Sequence, residues 1–165
     1  TPQGAEQRRS AHLVRYRFRL PKGRGSLNVI TDDTDRIGEW VCTRAGGTWI
    51  KGRGTAVGLE KHGRLIAGVI FEDYNGANIN IHVASDGSKN WLNREFLWFS
   101  FYCPFVQLKV ERVTALVAST NDACNRFVNN LGFELEATLK DAHPSGDILV
   151  HRITPDTCRW HVKKH

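Results

Sequence analysis

A histidine and a carboxylate near the middle of the chain could move a proton. His82 lies near the end of a predicted strand over residues 77–84, and Glu72, with Asp73, closes the predicted strand before it. An imidazole titrates close to neutral pH, which suits a general base. One of the two carboxylates could reach the opening through which a substrate enters. The alternatives are a histidine hydrogen-bonded beneath a helix and carboxylates solvated at a hairpin flank. His143, in the predicted last hairpin, is a further candidate for the substrate side.

The spacing of apolar and turn residues predicts the elements that position these side chains. Alternating or continuous apolar runs predict strands over residues 13–20, 55–60, 64–74, 77–84, 113–118, 134–140 and 147–153. Apolar residues at helical spacing, with capping residues before them, predict helices before Gly46, from near Asn90 to Pro104, and before Gly132. This order predicts an α/β fold, of the α+β mixed-sheet kind, with helices on both faces.

The composition is that of one globular domain. The chain has 165 residues, of which 41% are hydrophobic and 24% are charged. We place the domain at residues 12–153, between a flexible basic tail at 1–11 and a C-terminal tail at 154–165. No apolar run is long enough to cross a membrane, and the N-terminus has no apolar segment typical of a secretory signal.

The cysteines are far apart in the sequence and form no C-x-x-C pair; they are Cys42, Cys103, Cys124 and Cys158. This pattern is typical of reduced thiols in or near a core, so we expect a cytoplasmic protein. Cys158, His161 and His165 could offer three ligands to zinc, but the set lacks a fourth. We therefore expect no metal.

Positive charge collects at the N-terminus of a chain whose formal net charge is +6. Within the predicted strand over residues 13–20, Arg15, Arg17 and Arg19 share one face. Their guanidinium groups could bind successive phosphates of a nucleic acid. A solvated strand edge that discourages aggregation explains the same row of arginines.

The segment over residues 121–133 carries the most specific pattern in the chain. It reads N-D-A-C-N-R-F-V-N-N-L-G-F and resembles the N-x-x-[AS]-x-x-x-x-x-x-x-G-F stretch on the last long helix of the GNAT superfamily of N-acetyltransferases. Residues 134–142 and 147–150 look like the ribosomal-protein N-terminal acetyltransferase branch, in which GF-x-x-E-x-x-L-[RK] leads through a turn to an apolar strand. The order of predicted elements is similar to the same fold, and the resemblance covers residues 12–153.

The resemblance implies a GNAT fold in which the fourth and fifth strands separate and hold the pantetheine arm of acetyl-CoA. On this chain the backbone of Val83 and Ala84 would align the thioester, and the next turn, with Lys89, would receive the diphosphate. The cofactor-binding residues so implied are Val83, Ala84, Ser88, Lys89, Asn90 and Asn121.

Two positions depart from the family pattern. The family's phosphate loop usually reads [QR]-x-x-G-x-[GA], whereas residues 88–93 read S-K-N-W-L-N and contain no glycine. Because glycine lets backbone N–H groups approach phosphate closely, this loop either holds the cofactor in a modified pose or has lost it. Val128 stands where many members have a tyrosine as general acid. Cys124 could donate that proton instead, and a core thiol is the alternative.

These expectations combine into an N-acetyltransferase that moves an acetyl group from acetyl-CoA to an amine by direct attack in a ternary complex. Its candidate catalytic residues are His82, Cys124 and Glu72. One alternative is a GNAT-shaped binding or structural module without catalysis, placed on nucleic acid by the basic N-terminal strand. Another is acyl-CoA-dependent modification of a nucleobase. No motif identifies the acceptor amine or the oligomeric state.

Overall fold

The computed structural model of the chain describes residues 27–88 and 93–161. Within them the strands are β1 (Leu27–Ile30), β2 (Gly54–Lys61), β3 (Arg64–Glu72), β4 (Asn78–Ser85), β5 (Arg112–Ala118), β6 (Glu134–His143) and β7 (Gly146–Ile153). The helices of the same residues are α1 (Thr34–Ala45), α2 (Arg94–Tyr102) and α3 (Asp122–Leu131), and a π-helical segment (Cys103–Gln107) continues α2.

The strands form one sheet in the order β1-β2-β3-β4-β5-β7-β6. Neighbours run antiparallel except β4 and β5, which are parallel. A parallel pair needs a crossover connection, and α2 with its π-helical segment supplies it. The predicted mixed sheet with helices is confirmed.

The start of the sheet was only partly predictable. The predicted strand over residues 13–20, with Arg15, Arg17 and Arg19, lies outside the described residues. The first described strand is β1, for which the sequence pattern predicted no element, and it pairs with β2 from Leu27↔Lys61 to Ile30↔Gly58. A strand of four residues is too short for its alternation to be recognised.

Helix α1 covers one face of the sheet at β2, β3 and β4. Ile37 and Val41 are fully buried there against Ile70. Gly68 of β3 permits the close approach of the helix, because a Cβ atom on it would lie 2.6 Å from Cγ2 of Val41. The helix ends at Gly46, where it was predicted to end, with a left-handed φ of 79°.

The opposite face of the sheet packs against α2 and α3 and holds the larger core. Phe71 of β3 and Phe96 of α2 are fully buried in it, and α3 contributes Val128. The apolar stripe predicted for α3 is buried only in part, since Cys124 and Phe127 are half-buried. Part of this helix face therefore lines a surface other than the core.

Helix α2 begins at Arg94 and is capped by the side chain of Asn93. The predicted start near Asn90 lies outside the described residues. The kink or break expected at Pro104 takes the form of the π-helical segment. Its wider turns tolerate a residue that has no N–H to donate within the helix.

None of the helices in residues 27–88 and 93–161 is long and apolar enough to cross a bilayer. In the same residues no group of three or more His, Cys, Asp or Glu side chains is arranged to hold a metal ion. The cysteines are free thiols, three of them buried and Cys124 half-buried.

Candidate active site

The parallel strands β4 and β5 stay together only where they begin. They pair over three residues, from Asn78↔Arg112 to Asn80↔Thr114. Beyond these residues β4 continues beside β3, and β5 continues beside β7. In the described part of the chain, the facing edges of residues 81–85 and 115–118 have no strand partner. The separation of the fourth and fifth strands that the resemblance implied is confirmed.

A cleft of about 760 Å³ occupies this gap. Its walls are the separated ends of β4 and β5, the adjacent face of α3, the last residues of α1 and part of the last hairpin. Val83 and Ala84 of β4 line it, as do Cys124 and Phe127 of α3. The half-buried residues of α3 are therefore cleft residues.

His82 lines the β4 wall of the cleft, and Glu72 lies behind it on β3. Both residues are on the α1 face of the sheet, because His82 pairs with Ile70, two residues before Glu72. Nε2 of His82 lies 3.7 Å from Oε2 of Glu72, which allows electrostatic attraction but is too long for a hydrogen bond. The His82 side chain is 35% exposed and that of Glu72 is 15% exposed. The imidazole is thus accessible to a ligand while the carboxylate is largely shielded.

A row of hydrogen-bonded polar side chains crosses the sheet where β4 and β5 separate. Asn80 donates to Oδ2 of Asp73 at 3.2 Å, and Asn78 donates to Oδ1 of Asn80 at 3.2 Å. The hydroxyl of Thr114, on β5, donates to Oδ1 of Asn78 at 2.5 Å. This row joins the two strands at the base of the cleft and holds the strand that carries His82.

The head of α3 forms the opposite wall. Asn121 caps this helix, because its Oδ1 accepts a hydrogen bond from the N–H of Cys124 at 3.1 Å. Burial raises the pKa of the Cys124 thiol. The thiol therefore keeps its proton at neutral pH, as a general acid must.

A buried histidine links this wall to the sheet. Nε2 of His151, on β7, lies 2.9 Å from Oδ1 of Asn125. The Nδ2 of Asn125 donates to the carbonyls of Ala118 and Asn121, at 3.1 and 3.0 Å. Because both carbonyls can only accept, Oδ1 of Asn125 faces an N–H, and Nε2 of His151 carries the proton. The sequence pattern did not predict this contact, since nothing marks a pair 26 residues apart.

The loop after β4 begins at the outer end of the cleft. Ser88 donates its backbone N–H to Oδ1 of Asp86 at 2.8 Å, and its hydrogen bonds lower the pKa of the Asp86 carboxyl. An ionised carboxylate therefore lies in this loop. Lys89 and Asn90, predicted to contact phosphate, lie outside the described residues. The cofactor roles of Ser88 and of the other predicted residues stay predictions.

Arg44, in the last turn of α1, is a cleft residue that the sequence pattern did not predict. Its guanidinium carbon lies 3.7 Å from the centroid of the Trp40 ring. Arg44 lines the cleft together with Ala84 and Ser85, the last residues of β4. In the sequence alone Arg44 is indistinguishable from a solvated arginine at a helix end, and only the packing of α1 on the sheet brings it to the cleft.

The side of the cleft formed by β5 and the last hairpin is mainly apolar. Leu116, 40% exposed, and Ile148 line this side. His143 also lines it, with Nδ1 2.8 Å from the hydroxyl oxygen of Ser145. The predicted role of His143 on the acceptor side stays a prediction.

Solved structures of acetyltransferases resemble this chain. Mutant forms of the spermidine/spermine N-acetyltransferase SpeG from Vibrio cholerae match with a TM-score of 0.64 and 12% identity, over 79% of this chain and 95% of that chain. Spermidine N-acetyltransferase from Vibrio cholerae in complex with CoA and spermine matches with a TM-score of 0.63 and 11% identity, over 80% and 97%. A GNAT-family acetyltransferase from Bacillus anthracis matches with a TM-score of 0.52 and 17% identity, over 61% and 66%.

No family profile matches the sequence, and no curated protein matches it. At the low identities of the structural matches, the likeness shows the fold: the chain has the fold of the GNAT acetyltransferases. The GNAT fold predicted from residues 121–133 and the element order is confirmed. The closer resemblance to the ribosomal-protein branch stays a prediction.

Proposed function

We propose that the chain is an N-acetyltransferase that moves an acetyl group from acetyl-CoA to an amine in a ternary complex. The observation that carries this proposal is the cleft between the separated ends of β4 and β5, with an imidazole on one wall and a protonated thiol on the other. A structure of the same fold was solved in complex with CoA and spermine, which supports this use of the cleft.

The open edge of β4 offers a binding site for the pantetheine arm. Backbone N–H and C=O groups without a strand partner at residues 81–85 can pair with the amides of pantetheine, as they would with another strand. Val83 and Ala84 then hold the thioester, and Asn121 lies on the opposite wall beside the arm. No metal takes part in this proposal.

The reaction is a direct acyl transfer. The amine nitrogen attacks the thioester carbonyl carbon, an amide bond forms, and the bond between carbonyl carbon and sulfur breaks. His82 takes the proton released by the amine, and the Cys124 thiol gives its proton to the CoA sulfur. Glu72, 3.7 Å from His82, stabilises the imidazolium that forms. Solvent then takes the proton from His82 and returns one to Cys124.

The carboxylate beside His82 favours a cationic acceptor. Glu72 lies behind the imidazole, whereas Asp73, at the base of the cleft, is already ion-paired with Arg53. The Glu72 carboxylate attracts an amine that arrives protonated, and this ammonium loses one proton to solvent before its nitrogen attacks. A polyamine, the kind of ligand bound in the Vibrio cholerae complex, is the first acceptor to test.

The test is release of the CoA thiol from acetyl-CoA with spermidine, spermine, a peptide N-terminus and a lysine peptide as acceptors. Turnover is expected with at least one amine. Acetyl-CoA at 100 times its dissociation constant should add about 2.7 kcal/mol to the free energy of unfolding and raise Tm. No change in Tm at millimolar acetyl-CoA contradicts the proposal, and binding without turnover on any amine favours a non-catalytic module.

A further inference from the structure

A cation stands at the outer end of the cleft. Arg44 lines the cleft together with Ala84 and Ser85, the last residues of β4. Among the described residues that line the cleft, it is the one lysine or arginine. The base of the cleft, where β4 and β5 separate after Asn80, lies at the opposite end of the same strand.

The guanidinium of Arg44 is held in place by an aromatic ring. It lies over Trp40, one turn earlier on α1, with its carbon 3.7 Å from the ring centroid. Trp40 packs in turn against the core beneath α1. Stacking uses the face of the guanidinium and leaves its N–H donors pointing outward in the plane, which suits bidentate binding of an oxyanion. Within residues 27–88 and 93–161 no carboxylate forms an ion pair with Arg44 at 4.0 Å or less.

The donor in the proposed reaction is anionic at one end only. Acetyl-CoA carries a diphosphate and a 3′-phosphate at the end remote from its thioester. With the thioester between His82 and Cys124, which both line the cleft, the arm would run outward along β4 and bring the phosphates past Ser85. The ionised Asp86 carboxylate would repel them there. A positive charge close to this end of the cleft would offset that repulsion and attract the phosphates.

We propose that Arg44 binds a phosphate group of acetyl-CoA and sets the preference of the chain for the CoA thioester over the same thioester without phosphates. This inference rests on the proposed function and deepens it. It assigns to a side chain of α1 part of the phosphate binding that the family pattern places in the loop after β4, where residues 88–93 contain no glycine.

The experiment compares acetyl-CoA with acetyl-pantetheine, which has the same thioester and arm but no phosphate. Arg44→Gln should lower kcat/KM for acetyl-CoA by about 10- to 100-fold, through KM, since a hydrogen bond to a charged group is lost. With acetyl-pantetheine the variant and the wild type should agree within about twofold. Arg44→Lys, which keeps the charge but not the planar fork, should be intermediate.

The matched control is Arg36→Gln on the same helix. Arg36 forms ion pairs with Asp33 and Glu60 and does not line the cleft. Arg36→Gln should leave the ratio of kcat/KM for acetyl-CoA to kcat/KM for acetyl-pantetheine unchanged. Calorimetric titration with CoA itself gives a readout without catalysis, in which Arg44→Gln should weaken binding by the same factor.

The outcomes separate the two proposals. Equal loss with both donors, or an unchanged affinity for CoA, overturns the role of Arg44 and leaves the acetyltransferase standing if the wild type turns over. A wild type that binds neither acetyl-CoA nor CoA overturns both. Binding of CoA without turnover, weakened by Arg44→Gln, supports the phosphate site and contradicts the proposed catalysis.

Discussion

The two halves of the sheet on either side of the cleft are built differently. Strands β2 and β3 are buried along most of their length, because helices cover both of their faces. Strand β6 is exposed at all of its 10 residues, and β7 is mostly half-buried. The first half also carries His82, on β4, and the second presents an open apolar side with Leu116. This contrast places the candidate base on the more buried half and the open apolar side on the more exposed half.

The largest effect is expected on the more buried half. His82→Gln should lower kcat by about 100-fold or more while the affinity for acetyl-CoA stays the same, because only the base is removed. The measurement is steady-state kinetics together with acetyl-CoA titration. His62→Gln, in the turn between β2 and β3, is the control and should keep full activity. A His82→Gln variant that keeps more than about a third of kcat would mean that another group is the base.

Two neighbours on β5 test the exposed half directly. Val117 is buried beneath α3, whereas Leu116 faces the other side and is 40% exposed. Val117→Ala should lower the free energy of unfolding by about 2 kcal/mol, and Leu116→Ala by less than about 0.5 kcal/mol. Chemical denaturation measures both. Leu116→Ala should instead raise KM for the acceptor, and a large loss of stability in this variant would show that the side is covered in solution.

A smaller effect on turnover is expected for the thiol of the α3 wall. Cys124→Ala should lower kcat by about 10-fold without changing the affinity for acetyl-CoA, because solvent can replace a general acid only in part. Since burial raises the pKa of Cys124, alkylation by iodoacetamide should be slow at pH 7 and accelerate only above the usual range of thiols. Acetyl-CoA should protect the thiol. Unchanged kcat in Cys124→Ala would identify it as a structural thiol.

The smallest effect concerns stability and pH. Burial lowers the pKa of His151, so the unfolded chain binds a proton at a higher pH than the folded chain does. Stability is therefore fully present above about pH 6.5, the usual value for histidine, and is lost as the pH falls towards the lower folded pKa. Thermal melting from pH 8 to pH 5 should show this fall.

His151→Gln should make that fall shallower, and His143→Gln, a change at an exposed side chain, should leave it unchanged. Burial also lowers the pKa of His161. This histidine therefore contributes part of the fall in stability with pH in both variants. If Tm depended on pH in the same way in His151→Gln and in the wild type, His151 would not be the source of this pH dependence.

Local signals explain which parts of the fold could be predicted. Asn75-Gly76 turns the hairpin between β3 and β4, and Gly132 ends α3 with a left-handed φ of 105°. Both depend on residues next to one another in the chain, so the sequence pattern is sufficient. By contrast, β1 is too short to show a period, and the proline at position 104 predicts a kink or break but not the π-helical form of residues Cys103–Gln107.

The candidate site divides in the same way. His82 and Cys124 could be singled out because each stands at a recognisable place, one at a strand end and one on a capped helix. The contacts that these residues make could not be predicted. Glu72 was a candidate among hairpin residues, but its distance of 3.7 Å from His82 depends on the antiparallel register. The contact between His151 and Asn125 depends on α3 packing over β7.

The sequence by itself determined the order of elements from α1 to β7, the turns and glycines that end them, and the residue types able to carry a proton. These properties follow from the preferences of neighbouring residues. Only the tertiary structure decided that β4 and β5 separate after three paired residues, that α3 turns Cys124 towards the gap, and that Arg44 stands at its outer end. These depend on contacts between segments far apart in the chain, whose geometry is set by the packing of helices on both faces of the sheet.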